Sequence, residues 1–284
     1  MKLRSCVVPA IIAASTMCLC AAGASADTPY RNWTGSYAGV NAGYGWNTSS
    51  VGLSDPTTNI IGNTVLGVVF LSNINPHTDQ FSQTLDATGF VGGGQVGYNW
   101  QISRNWLIGF ETDLQFSGID GDSSTTGVFP AGQTPPQFRL TAEEQLKWFG
   151  TVRARLGFVI DRFMIFGTGG LAYGRTDAAA RISQLGGGGA TAFGGFGGTS
   201  LLCQADAVCL AGSGSQTSIG RAAGFGFEWA LWQNMTFKAE YLHIDLGDQT
   251  VRMTAQSPGT GSGVVDAKFG NAFDTIRAGL NVRF

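Results

Sequence analysis

The sequence predicts an all-β chain: an eight-stranded antiparallel transmembrane β-barrel with four long external loops and short periplasmic turns. Three observations predict it. Eight segments alternate apolar residues with small, polar or charged ones; the connections between them alternate between long and short; and the tryptophans cluster at segment ends.

Period-two alternation is the strand signature. The first segment, about 36–46, sets Ala38, Val40, Tyr44 and Trp46 against Gly39, Asn41, Gly43 and Gly45. The second, 89–100, sets Phe90, Val96, Tyr98 and Trp100 against Gly93, Gln95 and Asn99. In the third, 105–117, Trp106, Ile108, Phe110, Leu114 and Phe116 face away from Glu111, Asp113 and Gln115. The fourth, 145–159, puts Leu146, Trp148, Val152, Leu156 and Phe158 opposite Lys147, Thr151, Arg153 and Arg155. The fifth, 162–175, carries Phe163, Ile165, Leu171 and Tyr173 around a glycine-rich middle. The sixth, 218–231, opposes Phe225, Phe227 and Trp229 to Gly224, Gly226 and Glu228. The seventh, 235–246, opposes Phe237, Ala239 and Tyr241 to Lys238 and Glu240. The last, 274–284, opposes Ile276, Leu280, Val282 and Phe284 to Arg277, Asn281 and Arg283.

A soluble sheet points its apolar face inward. Eight strands of about 11 residues carry too many bulky aromatics for one small interior. The polar face also holds ten ionisable groups: Glu111, Asp113, Lys147, Arg153, Arg155, Glu228, Lys238, Glu240, Arg277 and Arg283. Turned inside out, the pattern is consistent. Lipid takes the apolar face, and the small and charged residues fill a narrow lumen, where unpaired charges would be costly and pairing is close to obligatory. Closure of the sheet satisfies the backbone groups that lipid cannot.

The first, third, fifth and seventh connections run to about 42, 27, 42 and 27 residues, the long ones including 47–88 and 176–217; the others are two to four. Outer-membrane barrels have long external loops and short periplasmic turns. All seven tryptophans, Trp33 included, fall at or near strand ends, as in aromatic girdles at the two membrane interfaces. Arg221 is the one outward charge well inside a strand, near an external end where it can snorkel to lipid phosphate.

Of 284 residues, 13% are charged and 43 are glycine, and the formal net charge is −2. No basic face for nucleic acid is implied. Lys2 and Arg4, the apolar stretch to Cys20, and Ala24-Ser25-Ala26 before Asp27 read as a secretory signal cleaved between Ala26 and Asp27, which makes 1–26 a signal peptide and 27–284 the barrel domain. Cys203 and Cys209 remain, and in an oxidising compartment a disulfide is the expected pairing.

Motifs for chemistry are weak. Gly92-Gly-Gly-Gln-Val-Gly97 matches a nucleotide-loop pattern but lies inside an alternating strand. His77 falls in the first long loop and His243 at an external strand end, read as an interfacial aromatic position. Glu111, Asp113, Glu228 and Glu240 each have bases predicted beside them, so a neutralised core is the simpler reading than paired glycosidase carboxylates. The glycine-rich run 186–198 reads as a flexible loop. The apolar stretch Ile60–Leu71 in the first long loop could extend the first or second strand above the membrane or form a small hairpin. No cofactor or metal site is expected.

The segment from Trp33 to Trp46, with Gly109-Phe-Glu-Thr-Asp113, Gly150-Thr-Val-Arg-Ala-Arg-Leu-Gly157, the run from Gly167 to Gly174 and the run from Lys238 to Gly247, resembles the small alphaproteobacterial outer-membrane barrels often labelled porin-family proteins. These are similar to the transmembrane domain of OmpA. The resemblance implies a barrel of structural or surface-interaction role, in contact with outer-membrane lipid and lipopolysaccharide and with an unidentified extracellular partner for the loops. The C-terminal Phe284 resembles the aromatic read by the barrel assembly machinery. A small-solute pore is the alternative function, and an enzyme acting on lipid or peptide a weaker one.

Overall fold

The computed structural model describes residues 32–54, 82–128, 137–186, 191–196, 199–204, 206–256 and 264–284. Among the described residues ten strands form: β1 Gly35–Ser54, β2 Ser82–Gln101, β3 Trp106–Val128, β4 Gln137–Ile160, β5 Phe163–Leu185, β6 Thr191–Phe196, β7 Thr199–Cys203, β8 Val208–Ala230, β9 Met235–Ala255 and β10 Val264–Arg283. Eight close into a barrel in the order β1-β10-β9-β8-β5-β4-β3-β2, and β6 and β7 make a separate two-stranded sheet. All pairs are antiparallel; β1 closes on β10 with Tyr37 opposite Arg283 and Trp46 opposite Asp274. The β4–β5 turn needs only Asp161 and Arg162, and Asp161 takes the positive φ of 49° that a tight hairpin demands.

The barrel strands run 20 to 24 residues, about twice the expected length, and the excess lies at the external ends. Strand β2 shows why sequence reading stopped short. Near the periplasm its outward side chains are Trp100, Tyr98, Val96 and Phe90, and its inward ones include Asn99 and Gln95. Beyond Phe90 the parity continues but the chemistry inverts: Thr88, Asp86 and Thr84 face out, while Val91, Ala87 and Leu85 are buried. Water has replaced lipid outside, so the apolar side chains belong inside. The upper barrel therefore has an ordinary hydrophobic core, built from Val51, Leu85, Phe149, Ile182, Met253, Phe269 and their neighbours.

Three expectations are corrected. A β-bulge at Lys147 puts Leu146, Lys147 and Trp148 of β4 against only Thr176 and Arg175 of β5. The extra residue rephases the strand, so Lys147 points outward and Leu146 inward, the reverse of the alternation read from sequence. Trp33 is not in a girdle: it is fully buried in a small cluster with Leu107, Val159, Met164, Phe166 and Ala230 at the periplasmic end of the barrel. Residues 191–196, expected as flexible loop, form β6. Residues 1–31, Ile60–Leu71 and His77 lie outside the described residues.

Candidate functional site: the lumen and its external rim

The membrane-level lumen is filled by a connected ion-pair cluster. Arg153, from β4, is its hub: Nη2 lies 2.6 Å from Glu111 Oε1 and 2.8 Å from Asp113 Oδ2, and Nη1 3.2 Å from Glu240 Oε2. Arg277 of β10 meets Glu240 at 2.5 Å and Asp113 at 3.1 Å. Lys238 of β9 meets Glu111 at 2.8 Å and Glu240 at 3.1 Å. Arg155 pairs with Glu228 at 2.9 Å and stacks over the Phe166 ring at 4.1 Å. The Tyr37 hydroxyl donates to Glu111 at 2.7 Å and accepts from Arg155 at 2.9 Å. Asn281 donates to Glu228 and accepts from Gln95, which in turn accepts from Asn41. Four bases face four acids, so the buried cluster is neutral, the condition under which buried charge is tolerable.

Two of the ten expected lumen charges are not in this cluster. Lys147 lies on the outer surface because of the bulge, 3.7 Å from Asp177. Arg283 sits at the periplasmic mouth, donating to the Asn32 and Thr34 carbonyls at 3.1 and 3.0 Å and lying over the Trp33 ring. The register explains it: Arg283 lies opposite Tyr37, one step from the chain end, below the level of the acids.

The lumen is thus a stack of three layers. Trp33 and its apolar neighbours close the periplasmic end, the ion pairs fill the middle, and the hydrophobic core closes the external half. At the external girdle, Trp46 and Tyr241 face out together, as do Trp148 and Tyr173. His243 lies beside them on the outer face with Nδ1 2.8 Å from Asp274 Oδ1, which also accepts from the Tyr241 hydroxyl at 2.6 Å. Arg221 is likewise outward and highly exposed, bonded to Asp245. The 92–97 glycine motif is laddered into β2 against β1 and β3, with no helix following. Cys209 is buried and disulfide-bonded; the Cys203 side chain lies outside the described residues.

Sequence reading missed one buried group. Glu144 sits four residues beyond the girdle residue Trp148, above the membrane-spanning segment, and accepts from Ser49 Oγ at 3.2 Å. With Asn47, Thr176 and Asn271 it lines a cavity of ≈ 10 Å³, room for about one water. The alternation Leu140, Ala142, Glu144, Leu146 was the available signal. Burial without a basic neighbour pushes its carboxyl up from 4.5 to about 7, opposed only by the Ser49 hydrogen bond. A raised carboxyl pKa means the folded chain holds the proton more tightly than the unfolded one. Its contribution to stability is therefore complete below about 4.5 and is lost as pH rises through about 7. The melting temperature in detergent should fall more steeply over that window for the wild type than for Glu144→Gln, and parallel curves would contradict the assignment.

Comparison with known proteins agrees with the geometry. The family model described as an outer membrane protein beta-barrel domain matches residues 11–284. The chain is 35% identical to the 31 kDa outer-membrane immunogenic protein of Brucella melitensis over 89% of its own length and 84% of that protein's. It is 26% identical to the 22 kDa outer membrane protein of Rhizobium leguminosarum over 68% and 66% of the two chains. Among solved structures, OprG from Pseudomonas aeruginosa aligns over 88% of this chain and 96% of its own, with a TM-score of 0.43 and 12% identity. A family match across nearly the whole chain, joined to a closed barrel with an apolar band between two girdles, leaves one conclusion: this is an outer-membrane protein, and it belongs to the outer-membrane β-barrel family.

Proposed function

We propose that the chain is a non-enzymatic barrel that conducts no solute and serves to carry a folded protein surface above the outer membrane. The observation that carries this reading is the stacked filling of the lumen, charge at membrane level and apolar core above it. Eight strands enclose little more than the width of their own side chains, and here those side chains are paired or packed. The small-solute porin reading would need a water-lined path through both layers. The enzyme reading would need a nucleophile or a shared carboxylate pair, whereas the four acids of the lumen cluster are held by bases and Glu144 stands alone beside Ser49.

The external half has the composition of a soluble domain, polar outside and apolar inside, and suits a surface met by other molecules. The immunogenicity recorded in the Brucella protein's name fits such exposure. Outward Lys147, Arg175 and Arg221 at the external girdle suit the phosphates of lipopolysaccharide. Residues 1–26 are proposed as an export signal cut before Asp27, and Cys203 as the partner of Cys209.

Planar-bilayer recording tests the sealed lumen. The full-length barrel should give no stepwise conductance, and neither should liposomes loaded with small sugars swell. Reproducible conductance steps from protein folded by the heat-modifiability criterion would return the porin reading.

A further inference from the structure

Among the described residues, the longest break in the ladder of the barrel wall lies between β8 and β9. β8 and β9 pair at Leu210–Ala255 and Ala211–Thr254, and pairing resumes only at Arg221–Asp245. Across this interval β8 stays laddered to β5, from Gly212–Ala180 to Gly220–Ala172. The facing stretch of β9 stays laddered to β10 through Met253–Val265, Val251–Ala267 and Gln249–Phe269. Each strand keeps one neighbour and lacks the other.

The gap is lens-shaped. A Cβ on Gly212 would meet the Arg252 carbonyl oxygen at 2.2 Å and one on Gly220 the Asp245 oxygen at 1.9 Å, but one on Gly214 would meet nothing nearer than 3.8 Å. Its cause is a bulge in β9. The step from Asp245 to Asp248 spans three residues against two, Ala272 to Gly270, on β10. Gly247 adopts a φ of 77°, and its N–H donates to Asp245 Oδ1 at 3.0 Å. Beyond the bulge β9 tucks toward β5, where Gln249 Oε1 accepts from Thr176 Oγ1 at 2.7 Å across the strand between them. β8 carries on outside, and residues 213–217 are exposed on both faces.

The edge left on β8 is a main-chain edge. The phase of β8 is fixed at its lower end: the Ala230 N–H donates to the Arg162 carbonyl on the β5 side and the Leu231 N–H to the Met235 carbonyl on the β9 side, and the β5–β8 register runs unbroken from Phe163–Trp229 to Ile182–Leu210. Alternate residues of an antiparallel strand turn N–H and C=O to the same side, so Gly214, Gln216 and Ser218 bond to β5, and Ser213, Ser215, Thr217 and Ile219 face the gap. Residues 212–220 contain no charge and no proline, the devices that usually blunt an exposed edge. The gap begins above the outward pair Phe225 and Tyr241, outside the hydrocarbon, where unpaired backbone is tolerable.

We propose that this gap is a strand-addition site, at which the free edge of β8 takes an extended peptide segment of a partner protein outside the cell. Acyl chains offer no hydrogen bonds to such an edge. A second copy fits poorly: strands tilted about 35–45° from the membrane normal would cross at about 70–90° when two barrels are related by an axis along that normal. A peptide group fits, since alternate residues of the edge, Ser213, Ser215 and Thr217, each offer one N–H and one C=O at strand spacing. The flanking charges are matched, Arg221 by Asp245 and Asp248 by Lys268, so the segment should be uncharged where it meets the edge. The site deepens the display role and rests on it only for access from outside; conductance tests that role, and peptide binding tests this one.

The test uses the full chain folded in detergent and, as probe, a fluorescent synthetic peptide of Leu246–Ala255, which continues the antiparallel register already set at Ala211–Thr254. Anisotropy should report saturable binding. Thr217→Pro removes one donor from the free edge without touching the β5 ladder and should weaken binding about tenfold, as should N-methylation of the peptide amides that face β8. Heat-modifiability checks that each variant is folded. No saturable binding, or binding indifferent to both Thr217→Pro and N-methylation, would overturn the proposal. So would protection of Ser215→Cys from maleimide by lipopolysaccharide but not by the peptide, which would assign the gap to a saccharide.

Discussion

Replacing Arg153 by leucine is expected to abolish or nearly abolish the folded barrel in detergent. Arg153 contacts three of the four lumen acids, and its guanidinium has no exposure to solvent. Its loss leaves Glu111, Asp113 and Glu240 to share Lys238 and Arg277, with one negative charge uncompensated in the interior. Breaking a buried pair in this way costs about 3–5 kcal/mol, a large part of the stability of a typical domain. Adding Asp113→Asn should recover much of the loss, because the remaining groups then resolve into Glu111 with Lys238, Glu240 with Arg277 and Glu228 with Arg155. Urea unfolding followed by heat-modifiability measures both. Glu240→Leu should destabilise for the converse reason, leaving Arg277 dependent on Asp113 alone. Unchanged unfolding in the Arg153 variant would show that the cluster is not structural.

Deleting Phe284 should give the largest effect on assembly. Closure depends on β10 meeting β1, and the last hydrogen bond of that seam runs from Phe284 N to Ser36 O at 3.0 Å. The ring is exposed, on the lipid side of the periplasmic end. We propose that it is also the recognition element for the barrel assembly machinery. The deletion should then sharply reduce heat-modifiable protein in the outer membrane while export to the periplasm continues, and Phe284→Tyr, which keeps an interfacial aromatic, should be tolerated. Normal assembly of the deletion would show that closure needs no terminal aromatic.

What could be read from sequence divides at the girdle. Below it, each strand carries a strict alternation with bulky residues on one side, and Val96, Phe110, Leu156 and Ile276 lie on the outside as their pattern requires. The eight bases and acids of the cluster were legible for the same reason. Above it, the alternation persists with the opposite sense, so Leu85 and Ala87, or Val251 and Met253, read as scattered apolar residues in loops when they are core. A single bulge residue was enough to misplace Lys147, because a one-residue slip exchanges the two faces. Trp33 precedes β1 and carries no parity, and tryptophan at a strand end is usually interfacial; only the fold shows that the chain turns it into the barrel. The gap between β8 and β9 has no signature in either strand alone, since Gly247 reveals its bulge only through its partner on β10.

The central claim is that the same eight strands face lipid below the girdle and water above it, around an interior filled by their side chains. Single-cysteine labelling of β2 on intact cells with a membrane-impermeant maleimide tests it most directly. Cysteines at Thr84, Asp86 and Thr88, exposed on the outer face of the extension, should label rapidly; those at Leu85 and Ala87, packed in the core, and at Phe90 and Val96, in lipid, should not. Equal labelling of neighbouring positions from 84 to 88 would contradict the account, because it would mean that this stretch is a loop or that the lumen is open to water from outside.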